Sequence, residues 1–291
     1  MTRTVGRGMC GTTYAGHTFT DMDYADDVTL LAEIFEALVS SLEIFSVESQ
    51  SLGLEVSWLK TKLQSLSDFL DQPVCPPIRG EPVEVVQCFN YLGSLITSDC
   101  KSQQDIKRRL GIASAAFASL DRVWRCKHLS RSTKLHTYNT LVLSVLLYGA
   151  ETWTLTQALA HKLDAFDSQC LRKIEGIRWD DFIPNETVRR RTNQLPVNCK
   201  ITKQRMTFLG HVSRAVPTQD VIKLISSEPN PSWKRPRGRP RGRWEDQIFN
   251  TLQGLEITRT DWRVYAESRP AWRALCTSVA AMHQTLMPAN D

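Results

Sequence analysis

Two adjacent carboxylates stand out near the start of this sequence, in the tetrapeptide Tyr24-Ala25-Asp26-Asp27. Like charges this close repel, so an adjacent pair is unfavourable unless a positive charge offsets the repulsion. A divalent cation does this, and Mg²⁺ takes one or two protein carboxylates together with water and substrate phosphates. The tetrapeptide therefore predicts either a Mg²⁺ site at Asp26 and Asp27 or a solvated acidic turn.

A hairpin is the element that places these carboxylates. Residues 12–32 read TTYAGHTFTDMDYADDVTLLA, which is two β-compatible runs around a polar, acidic turn. Asp26 and Asp27 are expected near its tip, where neighbouring side chains point to opposite faces and so would not act equivalently. A helix is expected next, over residues 33–52, because apolar residues recur there at helical spacing: Phe35, Leu38, Val39, Leu42 and Phe45.

The remaining chain predicts strands first and helices afterwards. A short strand is expected at residues 54–57, and residues 83–96 (VEVVQCFNYLGSLI) are typical of a second hairpin. Helical spacing then dominates, and the helices are expected near residues 105–125, 156–177, 200–214, 244–252 and 261–281. The predicted fold class is α+β, with antiparallel hairpins and a helix followed by a mostly α-helical region.

Three segments occur in an order that resembles the reverse transcriptases of non-LTR (LINE-type) retrotransposons. They are FTDMDYADDVTLLAE (Phe19 to Glu33), LGLEVSWLKTK (Leu52 to Lys62) and FNYLGSLI (Phe89 to Ile96). Further on, KLHTYNTLVLSVLLYGAETWTL resembles the thumb of these enzymes. The segments CLRKIEGIRWDDFIPNE, LGHVSR and GRPRGRWEDQI resemble their C-terminal region. The family usually has Asn where this chain has Ser57.

The resemblance implies a partial reverse-transcriptase palm, and a parent enzyme that copies an RNA template from a DNA primer with Mg²⁺. It assigns metal binding and catalysis to the turn aspartates, contact with the departing pyrophosphate to a lysine loop, and the primer grip to the second hairpin. The turn aspartates are Asp26 and Asp27, and the lysine loop contains Lys60 and Lys62. The primer-grip residues are Tyr91, Leu92 and Gly93.

The resemblance also implies that part of the palm is outside this chain. Two-metal transfer takes another carboxylate, which in these enzymes lies well upstream, and only 23 residues precede Tyr24. We therefore expect a truncated polymerase that is not active alone. The expected layout is a partial palm (1–98), thumb-like helices (99–155), a helical C-terminal region (156–225), a basic linker (226–243) and C-terminal helices (244–291).

Charge is distributed unevenly along the chain. Residues 1–100 hold 5 Lys/Arg against 14 Asp/Glu, whereas residues 101–291 hold 31 against 17. An acidic N-terminal part and a basic C-terminal part favour a site for cations followed by a surface for polyanions. Neither a bilayer-spanning run nor a secretory signal is found, and the 8 cysteines form no CxxC pair. These features predict an intracellular protein of the nucleus or cytoplasm with no membrane partner.

The most basic stretch is the decapeptide KRPRGRPRGR, which carries six positive charges and no acid. Its centre, Pro-Arg-Gly-Arg-Pro, matches the core of an AT-hook, a motif for duplex DNA. A plain solvated linker and a general phosphate-binding segment remain open alternatives. The candidate nucleic-acid-binding residues are Lys234, Arg235, Arg237, Gly238, Arg239, Arg241 and Arg243.

Three further features leave two interpretations each. The basic run Arg189 to Arg191 is either a solvated face or a contact for a nucleic-acid backbone. The tryptophans at 244, 262 and 272 could stack on bases, although their helical spacing favours packing. For the whole chain, the alternative to a polymerase fragment is a nucleic-acid-binding remnant that uses the basic linker and the thumb helices.

Overall fold

The computed structural model of this chain describes residues 11–66, 77–215, 223–225, 242–259 and 261–286. Its architecture is α+β, with short strand pairs before a set of helices, and this confirms the predicted class. The described residues form two compact units. The first contains residues 11–66, 77–90, 97–100 and 223–225, and the second contains residues 91–96, 101–215 and those from 242 onward.

Short paired strands and a 17-residue helix make up most of the described part of the first unit. Strands β1 and β2 form an antiparallel hairpin, β3 and β4 form another, and β5 pairs with β6 in parallel. Helix α1 follows β4. The bounds are Thr12–Tyr14 (β1), His17–Phe19 (β2), Asp21–Tyr24 (β3), Asp27–Leu30 (β4), Phe35–Ser51 (α1), Lys62–Leu63 (β5) and Glu84–Val85 (β6).

Helix α1 packs through the apolar face that its spacing predicts. Leu42 is buried in one cluster with Leu63, Ile78 and Val83. The other apolar positions of the helix pack against this cluster: Phe35, Leu38, Val39 and Phe45. The helix expected over residues 33–52 is therefore confirmed with its buried face, although it begins two residues later and ends one residue earlier.

The strand expected at residues 54–57 is wrong. Gly53 ends the helix with a left-handed φ of +75°, and the Leu54 amide donates to the Ser49 carbonyl at 3.0 Å. A second turn follows, because the amides of Lys60 and Thr61 both donate to the Ser57 carbonyl. Residues 54–57 lie between these two turns and pair with no strand, and strand pairing begins only at β5.

The second hairpin is present at the predicted position, as β7 (Cys88–Tyr91) and β8 (Ser94–Thr97). Helices follow it in the order α2 to α11. They are Gln103–Ser119, Asp121–Arg125, Arg131–Tyr138, Ser144–Leu146, Gln157–Glu175, Asn185–Thr192, Val197–Ser213, Trp244–Gln253, Trp262–Glu267 and Arg269–Leu286. A π turn, Asn139–Leu143, joins α4 to α5. In the part of the chain that is described, no helix is long and apolar enough to cross a membrane.

Local sequence explains where several of these helices begin and end. The Ser130 hydroxyl accepts from the Thr133 amide at 3.1 Å, and the Thr156 hydroxyl accepts from the Leu159 amide at 3.3 Å. Gly176, with φ of +69°, ends α6. Helices α2 to α8 contribute to one continuous buried cluster, whose fully enclosed members include Ile106, Tyr138, Val142, Leu146, Leu163 and Leu171.

A buried ion pair fixes α7 against α6. The Arg189 guanidinium lies 2.7 Å from one oxygen of Asp167, and the Tyr138 hydroxyl donates to the other oxygen at 2.7 Å. Burial and the Asp167 charge raise the pKa of Tyr138, so its hydroxyl remains a donor. Arg189 is therefore internal, whereas Arg190 and Arg191 are exposed. This separates the basic run into one structural residue and two surface residues.

Close approach of α8 and α11 requires a glycine. The Trp272 indole donates to the Met206 carbonyl at 2.8 Å, and a Cβ on Gly210 would lie 2.1 Å from that indole nitrogen. Trp262 and Trp272 are both buried, which confirms packing as the interpretation for these two tryptophans. Trp244 also turns inward, because its indole donates to the Glu151 carbonyl at 2.6 Å.

We predict opposite effects from two Gly→Ala substitutions in helices. Gly210→Ala should lower the free energy of unfolding by about 1–3 kcal/mol, because the methyl group overpacks the contact with Trp272. Gly111→Ala, in α2, meets open space and should raise it by about 0.5–1 kcal/mol. Urea denaturation followed by circular dichroism measures both. Destabilisation of equal size by both variants would contradict the proposed packing.

Candidate functional site

The β3–β4 hairpin places the predicted metal ligands at its exposed tip. Tyr24 pairs with Asp27, so Ala25 and Asp26 form the two-residue turn. Ala25 has a left-handed φ of +56°, and both aspartates are exposed. Asp26 thus lies in the turn and Asp27 at the first position of β4, so the two carboxylates occupy different backbone positions.

Two more aspartates extend the acidic character of this hairpin. Asp21 and Asp23 are two residues apart on β3, so their side chains share one face. Partial burial, followed by the charge of Asp21, raises the pKa of Asp23. Asp27 pairs with Tyr24, whose side chain points to the opposite face from that of its neighbour Asp23. The Asp27 side chain therefore lies on the face opposite to Asp21 and Asp23.

The donor chemistry of the tip fits Mg²⁺. Asp26 and Asp27 offer hard carboxylate oxygens, and this ion is held by one or two carboxylates while it keeps several waters. Within the described ranges, no group of three or more His, Cys, Asp or Glu side chains is arranged to hold a metal. If Mg²⁺ bound at the tip, water and a ligand's phosphates would have to complete its coordination.

The two lysines of the predicted pyrophosphate loop differ in their surroundings. Lys62 lies on β5 opposite Glu84, and its ammonium is 2.6 Å from that carboxylate. Lys60 lies in the preceding turn and its side chain is exposed. Lys60 is thus the lysine whose charge is directed to solvent, and Lys62 stabilises the β5–β6 pair.

Of the predicted primer-grip residues, Tyr91 is the last residue of β7, and Leu92 and Gly93 form the turn between β7 and β8. Leu92 and Gly93 are both left-handed, with φ of +46° and +79°. A left-handed turn of this kind favours Asn-Gly, and a side chain such as Leu adds strain of about 1–3 kcal/mol. The Leu92 side chain is 40% exposed. Contacts from elsewhere in the second unit must therefore hold this turn.

Three side chains that the sequence did not single out bind the carbonyls of this turn. The Tyr148 hydroxyl donates to the Leu92 carbonyl at 2.9 Å. The Arg108 guanidinium donates to the Gly93 carbonyl at 2.5 Å, and the Arg109 guanidinium donates to the same oxygen. Both acceptors of the turn are thereby satisfied from α2 and from the segment after α5.

A buried carboxylate on α2 connects this turn to the helices. Asp105 is only 3% exposed, and one of its oxygens accepts from the Leu95 amide at 3.1 Å and from Arg108 at 3.2 Å. The other oxygen accepts from the Trp153 indole at 2.9 Å. The carboxylate thus joins the start of β8, helix α2 and the segment that contains Trp153.

The charge of Arg109 is stabilised by an aromatic ring as well as by the carbonyl. Its guanidinium carbon lies 4.4 Å from the centroid of the Tyr148 ring. Burial, followed by the nearby charge of Arg108, lowers the pKa of Arg109, while Asp105 and Tyr148 act in the opposite direction. Two arginines at one carbonyl are therefore tolerable because a carboxylate and a ring accompany them.

Most of the predicted DNA-binding linker is outside the described residues. This applies to Lys234, Arg235, Arg237, Gly238, Arg239 and Arg241. Arg243 is described, is partly buried and directly precedes helix α9.

Comparison with known proteins gives two similarities. Residues 116–148 match the model of a family described as a domain of unknown function, DUF6451. The chain is also 24% identical over 270 residues to a putative uncharacterized transposon-derived protein of Caenorhabditis elegans, covering 89% of this chain and 96% of that protein. No solved structure matches the chain.

Proposed function

We propose that this chain is the C-terminal part of an RNA-directed DNA polymerase from a non-LTR retrotransposon. The observation that carries the proposal is the exposed hairpin turn with Asp26 in it and Asp27 beside it. The chain order adds support, since a helix, a lysine loop and a left-handed hairpin turn follow. The similarity to a transposon-derived protein over most of both chains also supports a transposon origin.

In this proposal each element has one role in nucleotidyl transfer by the intact parent. Asp26 and Asp27 supply carboxylate oxygens for Mg²⁺, which when bound stabilises negative charge on the reacting phosphates. Lys60 supplies an ammonium group for a leaving pyrophosphate. The Leu92–Gly93 turn contacts the primer end and orients its 3′-hydroxyl. The partners are an RNA template and a DNA primer.

We predict that Mn²⁺, used as a paramagnetic probe for Mg²⁺, selectively broadens the amide NMR signals of residues 24–28. Asp26→Asn should abolish this broadening because it removes the carboxylate at the turn. Asp23→Asn is the matched control, since it removes an equal charge from the face of the same hairpin opposite to Asp27, and it should leave the broadening in place. Equal loss in both variants would indicate a general acidic surface instead of a site.

We also predict that the chain distinguishes the end of a primer. An RNA–DNA hybrid with a recessed 3′ end should bind about tenfold more tightly than a blunt hybrid of the same length, which is about 1.4 kcal/mol. Gly93→Ala should reduce this ratio, because its Cβ would lie 3.1 Å from the Tyr148 ring at a left-handed φ.

The control for this experiment is another glycine in a hairpin turn. Gly16→Ala changes the β1–β2 turn, where φ is +81° and the space is open. It should produce similar backbone strain and leave the ratio of affinities unchanged. Fluorescence anisotropy measures both affinities. Equal binding of recessed and blunt hybrids by the wild-type chain would refute the primer-grip role.

A second candidate function is binding of duplex DNA by the basic linker, supported by the six positive charges between residues 234 and 243. Pro236 and Pro240 restrict φ and favour an extended backbone, which loses little entropy on binding. Gly238 lacks a Cβ and so allows close approach to the floor of a narrow groove. Arg237 and Arg239 would then lie along the minor groove, where A·T tracts concentrate negative potential.

We predict that the chain prefers A·T over G·C duplex DNA. If the linker contacts about four to six phosphates, the logarithm of affinity should fall against the logarithm of salt with a slope of about −4 to −5. Gly238→Ala should reduce the A·T preference at unchanged charge. A general phosphate-binding segment would show the same slope with no preference between the two duplexes, and Gly238→Ala would have no effect.

A further inference from the structure

We infer that Asp105 is a positioning residue, whose buried carboxylate sets the conformation in which the Leu92–Gly93 turn presents Leu92. The inference rests on the proposed primer grip and names the group that holds it in place.

The sequence of the turn does not itself select this conformation. A turn with two left-handed residues favours Asn or Gly at its first position, and Leu is uncommon there. The β1–β2 hairpin, whose turn is also left-handed at both positions, has the smaller Ala15 followed by Gly16. The larger side chain at Leu92 therefore needs restraints from outside its own hairpin.

Those restraints converge on the carboxylate of Asp105. It accepts from the Leu95 amide, three residues after Leu92, and so fixes the start of β8 directly. It also contacts the Arg108 guanidinium, which donates to the Gly93 carbonyl. Because the turn is contacted by two guanidinium groups, loss of the Asp105 charge would leave their repulsion uncompensated.

The carboxylate is itself held by a rigid part of the second unit. Its second oxygen accepts from the Trp153 indole, and the Trp153 carbonyl accepts from the buried Arg205 of α8. Gln247 of α9 bonds both the amide and the carbonyl of Leu155. Asp105 therefore connects the turn to helices that lie far along the chain, and it cannot shift without breaking these bonds.

This arrangement determines what the turn offers to a ligand. Both turn carbonyls are occupied by Tyr148 and the two arginines, so the turn presents the apolar side chain of Leu92 beside the exposed Tyr148. An apolar side chain contacts the sugar of a terminal nucleotide without reading its base. Recognition of the recessed end should therefore be independent of the terminal base pair.

The test compares two buried aspartates of the same unit. Asp105→Asn replaces one acceptor oxygen with an amide N–H, which then faces other hydrogen-bond donors. The variant should therefore reduce the recessed-to-blunt affinity ratio from about tenfold to about one. Asp167→Asn is the matched control, because Asp167 is also buried and accepts from Arg189 and Tyr138 away from the turn. It should lower stability at least as much and retain the ratio. Retention of the ratio by Asp105→Asn would overturn the inference.

A second variant separates positioning from folding. Leu92→Asn suits a left-handed turn, so it should keep or raise the urea midpoint while it lowers the affinity ratio. Hydrogen exchange of the Leu95 amide gives a readout that needs no ligand, and it should be faster in Asp105→Asn than in Asp167→Asn. If the Leu95 amide exchanges at the wild-type rate in Asp105→Asn, the positioning role of Asp105 is refuted. If the wild-type chain binds recessed and blunt hybrids equally, only the primer-grip role is refuted.

Discussion

The second unit depends on two buried aspartates, each of which has both an arginine and an aromatic donor. Asp167 accepts from Tyr138 and pairs with Arg189, and Asp105 accepts from Trp153 and pairs with Arg108. Breaking a buried pair costs about 3–5 kcal/mol, because it leaves a charge without compensation. Each aspartate therefore holds several elements together. Asp167 joins α4, α6 and α7, and Asp105 joins α2, the Trp153 segment and the β7–β8 turn.

Local patterns in the sequence were enough to predict the elements that need few distant contacts. The apolar spacing from Phe35 to Phe45 predicted α1 and its buried face, and the polar turn before Asp27 predicted the tip of the β3–β4 hairpin. Short-range backbone geometry also sets the observed helix ends at Ser130 and Gly176. The strand expected at residues 54–57 failed because β-compatible residues there are enclosed by two turns.

The partners of the primer-grip turn could not be predicted, because each is distant in sequence or hidden in a helical pattern. Tyr148 lies 56 residues from Leu92, and Trp153 lies 48 residues from Asp105. One signal was nevertheless present in α2. Asp105 and Arg109 occupy the same i, i+4 series as the buried Ala113 and Phe117, so two charges fall on a core-facing stripe. Charges in such a stripe indicate a buried pair with a structural or positioning role.

The same burial changes what the charge asymmetry of the chain means. Residues 101–291 contain 31 Lys/Arg, but Arg109, Arg189 and Arg205 lie inside the second unit and contribute little to its surface potential. Arg205 binds the Trp153 carbonyl, and burial lowers its pKa to about 10. Attraction of a polyanion depends on exposed charge. The count of 31 Lys/Arg therefore overstates the basic charge that residues 101–291 present to a polyanion.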